Sequence, residues 1–216
     1  MTVAAVESKT PKLISDEFSS INRYWDNTNQ AHAAKLLPGE YYVSGEGELI
    51  TTVLGSCVAA CVRDRLHGIG GMNHFMLPHV SSYQGNTARK MLSVAGRYGN
   101  VAMEKLINCI LANGGSRDRL EFKVFGGARV LDIDSEVGNR NIQFITEYLK
   151  LEQFNVEAVD VGGLYPRKVN YFPKTGTVML KKLRRIRGSS LHDREQQYFR
   201  RLDREPAQGD ITFFVQ

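Results

Sequence analysis

The spacing of apolar and polar positions changes several times along the chain, and each change predicts a different element. Residues 1–36 are polar and mixed, with one short helical signal around DEFSSINRYWD. They read as an N-terminal extension whose Tyr24 and Trp25 dock on the body. From LPGEYYVS onward, short β-like runs are punctuated by glycine, which predicts strands at 48–54, 58–62 and 70–77. Over 86–112 the period lengthens. Met91, Ala95, Tyr98, Ala102, Leu106 and Cys109 or Ile110 recur at helical spacing, and Gly114-Gly115 marks the stop. A strand at 120–125, a GGAR turn, a helix at 140–153 and a strand at 155–161 follow. Segments 168–171 and 177–183 pair as a hairpin across Pro173-Lys174-Thr175-Gly176. A charged surface helix at 191–202 and a short strand ITFFV close the sequence.

Strands and helices alternate without a regular βαβ repeat. The expected fold is therefore α/β, a compact mixed-sheet sandwich in a single domain rather than a doubly wound parallel sheet. That domain spans 37–183, between the N-terminal extension and a basic C-terminal extension at 184–216.

Composition narrows the class. With 42% hydrophobic and 24% charged residues over 216 positions, the chain has enough apolar surface for a proper core and is not disordered throughout. It contains no run of about 18 apolar residues, so no membrane insertion is expected. The N-terminus lacks the basic start and apolar stretch of a signal peptide. Three cysteines, Cys57, Cys61 and Cys109, cannot all pair, and are read as reduced thiols in a cytoplasm. The net charge of +5 sits in the tail, where nine Lys and Arg between 181 and 205 face four acids. The interspersed acids favour a solvated helix face over a nucleic-acid surface, so no nucleic-acid partner is expected.

The candidate chemistry lies in ITTVLGSCVAACVRD and, shortly after it, GIGGMNHFMLP. Cys57 follows a Gly-Ser pair. A thiol needs a base to act as a nucleophile at neutral pH, and His74 supplies an imidazole nearby in sequence. The blander reading makes Cys57 and His74 core residues of an apolar stretch. A turn at Gly55-Ser56 favours the active one, because it frees backbone N–H groups beside the thiol, the donors an oxyanion hole requires. A base also needs an orienting partner, for which Thr51 and, with lower weight, Asn73 are candidates. Ser56, Asn73, Gly126 and Gly127 are the residues expected to line the oxyanion and substrate side, the two glycines otherwise reading as a tight turn. Cys61 and Cys109 are packing residues. The spacing from Cys57 and Cys61 through His67, His74 and His79 matches no zinc pattern, so no metal is expected. Neither Gly126-Gly127 nor Gly162-Gly163 makes a phosphate-binding loop, and no cofactor is expected.

Together, TTVLGSCVAACVRD, GIGGMNHFMLP, RYGNVAMEKLI, KVFGGA, GNRN, VDVGG and YPRKVNYFPKTGTV resemble, in order, the bacterial chemoreceptor glutamine deamidases of the CheD family. The resemblance covers 37–183. It implies an α/β sandwich and a Cys-His-Thr catalytic set, carried over to Cys57, His74 and Thr51, with Thr52 the neighbour if the register slips by one. The implied reaction converts specific glutamines of methyl-accepting chemotaxis receptors to glutamate through a thioester. Hydrolysis of glutamyl methyl esters is an associated activity. The implied partners are the receptors and a CheC-type phosphatase. Two readings compete with this one: a non-catalytic adaptor that binds receptors or the phosphatase, and a cysteine protease.

Overall fold

The computed structural model describes residues 10–78, 86–130, 136–184, 193, 195–198 and 200. Its first sheet is built from β1 (Asn22–Asp26), β2 (Ala31–Lys35), β4 (Leu49–Leu54), β9 (Arg167–Phe172) and β10 (Thr177–Lys182), in the order β1-β2-β4-β9-β10. The second is built from β3 (Tyr41–Ser44), β5 (Val58–Asp64), β6 (Gly70–Asn73), β7 (Leu120–Gly126) and β8 (Asn155–Val161), in the order β3-β6-β5-β7-β8. Both sheets are mixed: β2 runs parallel to β4 and β7 parallel to β8, while the other pairs are antiparallel. Helix α1 (Asn86–Ala112) packs on β3, β5 and β6, and α2 (Glu136–Leu151) on β5 and β8. The mixed-sheet α/β sandwich is thus realised, with the helices on the second sheet.

The layering explains the sequence patterns. β5 opens with an unbroken apolar run, VAACV, and is buried at every position but Arg63, because protein covers both of its faces. β9 alternates instead: Arg167, Val169 and Tyr171 are buried and the residues between them half-buried. One core joins Ile50 and Tyr171 of the first sheet, Val62 and Phe122 of the second, and Leu106 and Ile145 of the helices.

The N-terminal extension is more deeply involved than its polarity implies. DEFSS forms a 3-10 turn, Asp16–Ser20, capped by Ser15, whose Oγ accepts from the Glu17 N–H. The residues that dock are Phe18 and Ile21, not Tyr24 and Trp25, which stay exposed. Burying Phe18 contributes about 1.5–3 kcal/mol. β1 and β2 then extend the first sheet beside β4, with Ala34 opposite Ile50 and Lys35 opposite Thr51. Arg23 of β1 pairs with buried Glu48 at 2.7 Å, and the Tyr42 hydroxyl donates to the same carboxylate at 2.6 Å.

The remaining boundaries move modestly. α1 and β8 match their expected spans, α2 starts at Glu136 rather than 140, and β6 stops at Asn73. Of the expected helix at 191–202, residues 193, 195–198 and 200 are helical. ITFFV lies outside the described residues. No helix among the described residues is long and apolar enough to cross a membrane.

Candidate active site

Gly55-Ser56-Cys57 is the link that carries the chain from β4 in the first sheet to β5 in the second. Its three carbonyls are all held from outside. Ala128 donates its N–H to the Gly55 oxygen at 2.8 Å, the Asn141 side-chain amide to the Ser56 oxygen at 2.9 Å, and the Gly127 N–H to the Cys57 oxygen at 2.7 Å. In a planar trans peptide the N–H points opposite to the C=O. Fixing the Gly55 and Ser56 carbonyls outward therefore aims the N–H groups of Ser56 and Cys57 inward, beside the thiol. Gly126 and Gly127 thus back the link rather than donate into the site. Their positive φ values, 115° and 66°, let the chain end of β7 lie against the Cys57 carbonyl, where a side chain on Gly126 would collide.

His74 follows β6 and is fixed by its own backbone, which donates to Glu40 at 2.9 Å and accepts from Gly39 at 2.7 Å. An isolated antiparallel bridge between Val58 and Phe75 ties the residue after Cys57 to the residue after His74. The ring orientation comes from Thr52. Its hydroxyl donates to the Leu36 carbonyl at 2.9 Å and so has a lone pair, not a proton, to offer His74 Nδ1 at 2.7 Å. That assigns the proton to Nδ1 and leaves Nε2 as a bare acceptor. Among the described residues, Nε2 is the one buried side-chain polar atom without a hydrogen-bond partner. The Cys57 sulfur, a His74 ring nitrogen and a carboxylate oxygen of Glu195 all lie within 4.8 Å of one another. With Nδ1 engaged by Thr52, Nε2 is the ring nitrogen left open to take a proton.

The threonine that hydrogen-bonds the imidazole is Thr52, not Thr51. Alternation along β4 puts Ile50, Thr52 and Leu54 on one face and Thr51 on the other. Ile50 and Leu54 belong to the core, so Thr52 points inward to the imidazole. Thr51 donates to Asn170 Oδ1 of β9 at 2.6 Å instead. Asn73 is also occupied elsewhere, accepting from the Ala60 N–H at 2.9 Å and donating to the Ala102 carbonyl at 3.2 Å.

Glu195 completes the site from 138 residues further along the chain. Its side chain is buried and accepts from the N–H of Gly55 at 2.8 Å, of Ser56 at 3.0 Å and of Cys57 at 3.5 Å, and from the Ser56 hydroxyl at 2.8 Å. Gly55 matters here because a Cβ would meet both carboxylate oxygens at 2.7 and 2.8 Å. Burial, then the charge and hydrogen bond of Glu195, push the Cys57 thiol well above its ordinary range. Burial pushes the His74 imidazole down to about 3. In this state the pair is a neutral thiol beside a neutral imidazole. Cys57, His74 and Glu195 are near enough together to invite a metal reading. The carboxylate is ringed by N–H and O–H hydrogens, however, whose positive ends suit an anion and oppose a cation.

Two of these residues escape sequence reasoning. Asn141 falls in GNRN, one of the stretches carrying the resemblance, but its position opposite Ser56 has no sequence signal. Glu195 is one acid among many charges in the tail.

Comparison with known proteins supplies the family. A family model described as CheD chemotactic sensory transduction matches residues 76–182. A relative from Halorhodospira halophila, named probable chemoreceptor glutamine deamidase CheD, is 51% identical over 197 residues, covering 91% of each chain. This chain belongs to the CheD family. A second CheD relative of the same name, from Hahella chejuensis, is 45% identical over 214 residues, 99% of this chain and 100% of that one. The likeness to CheD therefore takes in both ends of the chain, beyond the 37–183 over which the motifs were legible. A third, from Herminiimonas arsenicoxydans, is 49% identical over 200 residues.

Proposed function

We propose that this CheD chain is a protein-glutamine deamidase that converts glutamine side chains of methyl-accepting chemotaxis receptors to glutamate. The observation that carries the reading is the buried, unpartnered Nε2 of His74, on a ring with a nitrogen within 4.8 Å of the Cys57 sulfur, beside backbone N–H groups already arranged around an anion. An inert core would leave no such atom unpaired, since an unsatisfied buried polar group costs about 1–3 kcal/mol.

His74 Nε2 takes the proton of Cys57 as the sulfur attacks the side-chain amide carbon. The developing oxyanion is held by the N–H groups of Gly55, Ser56 and Cys57. Thr52 accepts the Nδ1 proton and so stabilises the imidazolium without moving a proton itself. The C–N bond then breaks, ammonia leaves with the proton from Nε2, and a thioester remains. Water activated by Nε2 attacks it, releasing glutamate and restoring the thiol. The same acyl chemistry serves glutamyl methyl esters, with methanol as the leaving group. A CheC-type phosphatase remains the expected regulatory partner, checked by co-purification of the two proteins.

The test is peptide mass spectrometry of a cognate receptor cytoplasmic domain after incubation with wild type or Cys57→Ala. Amide hydrolysis adds about 1 Da at particular glutamines and releases ammonia, with wild type only. An unchanged mass in both, with receptor binding retained in both, would leave the adaptor reading in its place. Cleavage of the receptor chain would mark a protease.

A further inference from the structure

Glu195 has no part in the chemistry above, yet it fills the place the chemistry needs. Its carboxylate sits on the N–H groups assigned to the oxyanion and within 4.8 Å of both Cys57 and His74. A glutamate side chain is also the product of glutamine deamidation, equal in length to the substrate and differing by one atom. It reaches the site from a helical stretch, and a second residue of that stretch seats it. Tyr198, three positions on and hence on the same helix face, hydrogen-bonds Tyr98 of α1 through the two hydroxyls and lies over Gly39. Gly39 has φ +87°, and a Cβ there would run into the Tyr198 hydroxyl and ring at 2.5–2.8 Å. The Gly39 N–H in turn holds the His74 carbonyl. The helix therefore rests at two points, one over the thiol and one beside the base.

We propose that the groove over Cys57 and Gly39 is the docking site for a substrate helix, and that residues 195–198 occupy it as an internal product mimic, with Glu195 standing where a deamidated receptor glutamine would stand. The proposal rests on the deamidase reading and adds to it the form of the substrate and the identity of a competitor. A receptor helix presents its glutamine by displacing this segment. While the segment is seated, the thiol is buried and beside a carboxylate, conditions that oppose thiolate formation. The four donors around Glu195 match a carboxylate better than an amide, whose NH2 cannot accept from the Ser56 N–H. The site thus holds glutamate more tightly than glutamine, which can enter and be turned over.

The test is the Glu195→Gln protein, purified at full length and analysed by peptide mass spectrometry. With glutamine in the groove the enzyme acts on its own chain: the sulfur bonds to the side-chain carbon, ammonia leaves, and water releases glutamate. The expected result is a gain of about 1 Da at position 195 but not at Gln196 or Gln197, absent from the Glu195→Gln/Cys57→Ala double variant. A second variant, Glu195→Ala, removes the competitor without becoming a substrate. If the open form is about a tenth of the population, freeing the site raises Cys57 alkylation by iodoacetamide about tenfold. Glutamine persisting at 195 in a preparation that deamidates a receptor domain, with wild-type alkylation rates in Glu195→Ala, overturns the proposal and leaves the deamidase standing. No conversion at 195 and none of any receptor, by wild type or variant, removes the deamidase reading and the proposal with it.

Discussion

Replacing Thr52 by Val tests the site at the point where two adjacent threonines exchange roles. Valine keeps the shape and β-branching of threonine, so β4 and its packing change little. It deletes one oxygen that makes two hydrogen bonds, donating to the Leu36 carbonyl at 2.9 Å and accepting from His74 Nδ1 at 2.7 Å. In the proposed mechanism the second bond governs the rate, because Nδ1–H becomes more acidic when Nε2 takes the thiol proton. Leaving that buried N–H without an acceptor costs about 1–3 kcal/mol. At ~1.36 kcal/mol per tenfold, the expected fall in kcat is about 5- to 160-fold. KM should stay near wild type, since Thr52 lies behind the ring and does not face the groove. The assay is ammonia release from a receptor domain, run on Thr52→Val, Thr52→Ser and Thr51→Val. Serine retains the hydroxyl and should recover most of the loss. Thr51→Val breaks only the bond to Asn170 on the opposite face and should stay within a few-fold of wild type. Wild-type kcat in Thr52→Val, or a larger loss in Thr51→Val, refutes the assignment of the imidazole's partner.

Two further outcomes follow from buried groups around the site. Asn141→Ala leaves the Ser56 carbonyl and the Leu77 N–H without the partners they have at 2.9 Å each, so thermal unfolding should show a loss of about 2–6 kcal/mol. Because the Ser56–Cys57 peptide is then free to rotate, kcat measured well below the melting temperature should fall as well. Asp64, at the end of β5, is buried against Arg119 at 2.7 Å. Burial raises its carboxyl, but Arg119 and the N–H groups of His67, Ser116 and Leu66 outweigh that and hold it well below the usual range. A carboxyl depressed on folding stabilises above its unfolded value of about 3.9, and the benefit fades as pH falls through the folded value. Urea midpoints should therefore drop below about pH 4 in wild type and respond less to acid in Asp64→Asn. That variant should also lose about 3 kcal/mol at pH 7, the low end for a broken buried pair. Arg119 keeps 30% exposure and can be rehydrated.

Long periodic segments were legible in the sequence, and so was chemistry concentrated in short motifs. α1 showed its full span because seven helical turns repeat the same face, and Gly114-Gly115 end it. Cys57 and His74, which the structure brings together, stood out because each follows a short run rich in small residues. The threonine was harder: Thr51 and Thr52 are chemically identical, and only the parity of β4 relative to Ile50 and Leu54 separates them. Trp25 misled for a related reason. Its size suggests burial, yet β1 is the edge strand of its sheet, so Trp25 lies beyond the core and stacks edge-on to His32 at 5.0 Å. Asn141 and Glu195 depend on tertiary contacts spanning 85 and about 140 residues, which no local pattern encodes.

The parallel pairing of β2 with β4 bears on where the chain can be cut. Composition places the body's start at residue 37, and a protein trimmed there would look tidier by sequence. It would also strip Phe18 from the core and uncover the open flank of β4, a strand of six mostly apolar residues with unpaired backbone groups. Such a flank is a template for pairing with another chain, so the shortened protein would be prone to self-association. Leu36, whose carbonyl holds Thr52, would go with the segment removed. The polar leader is, in this sense, the protective border of the catalytic sheet.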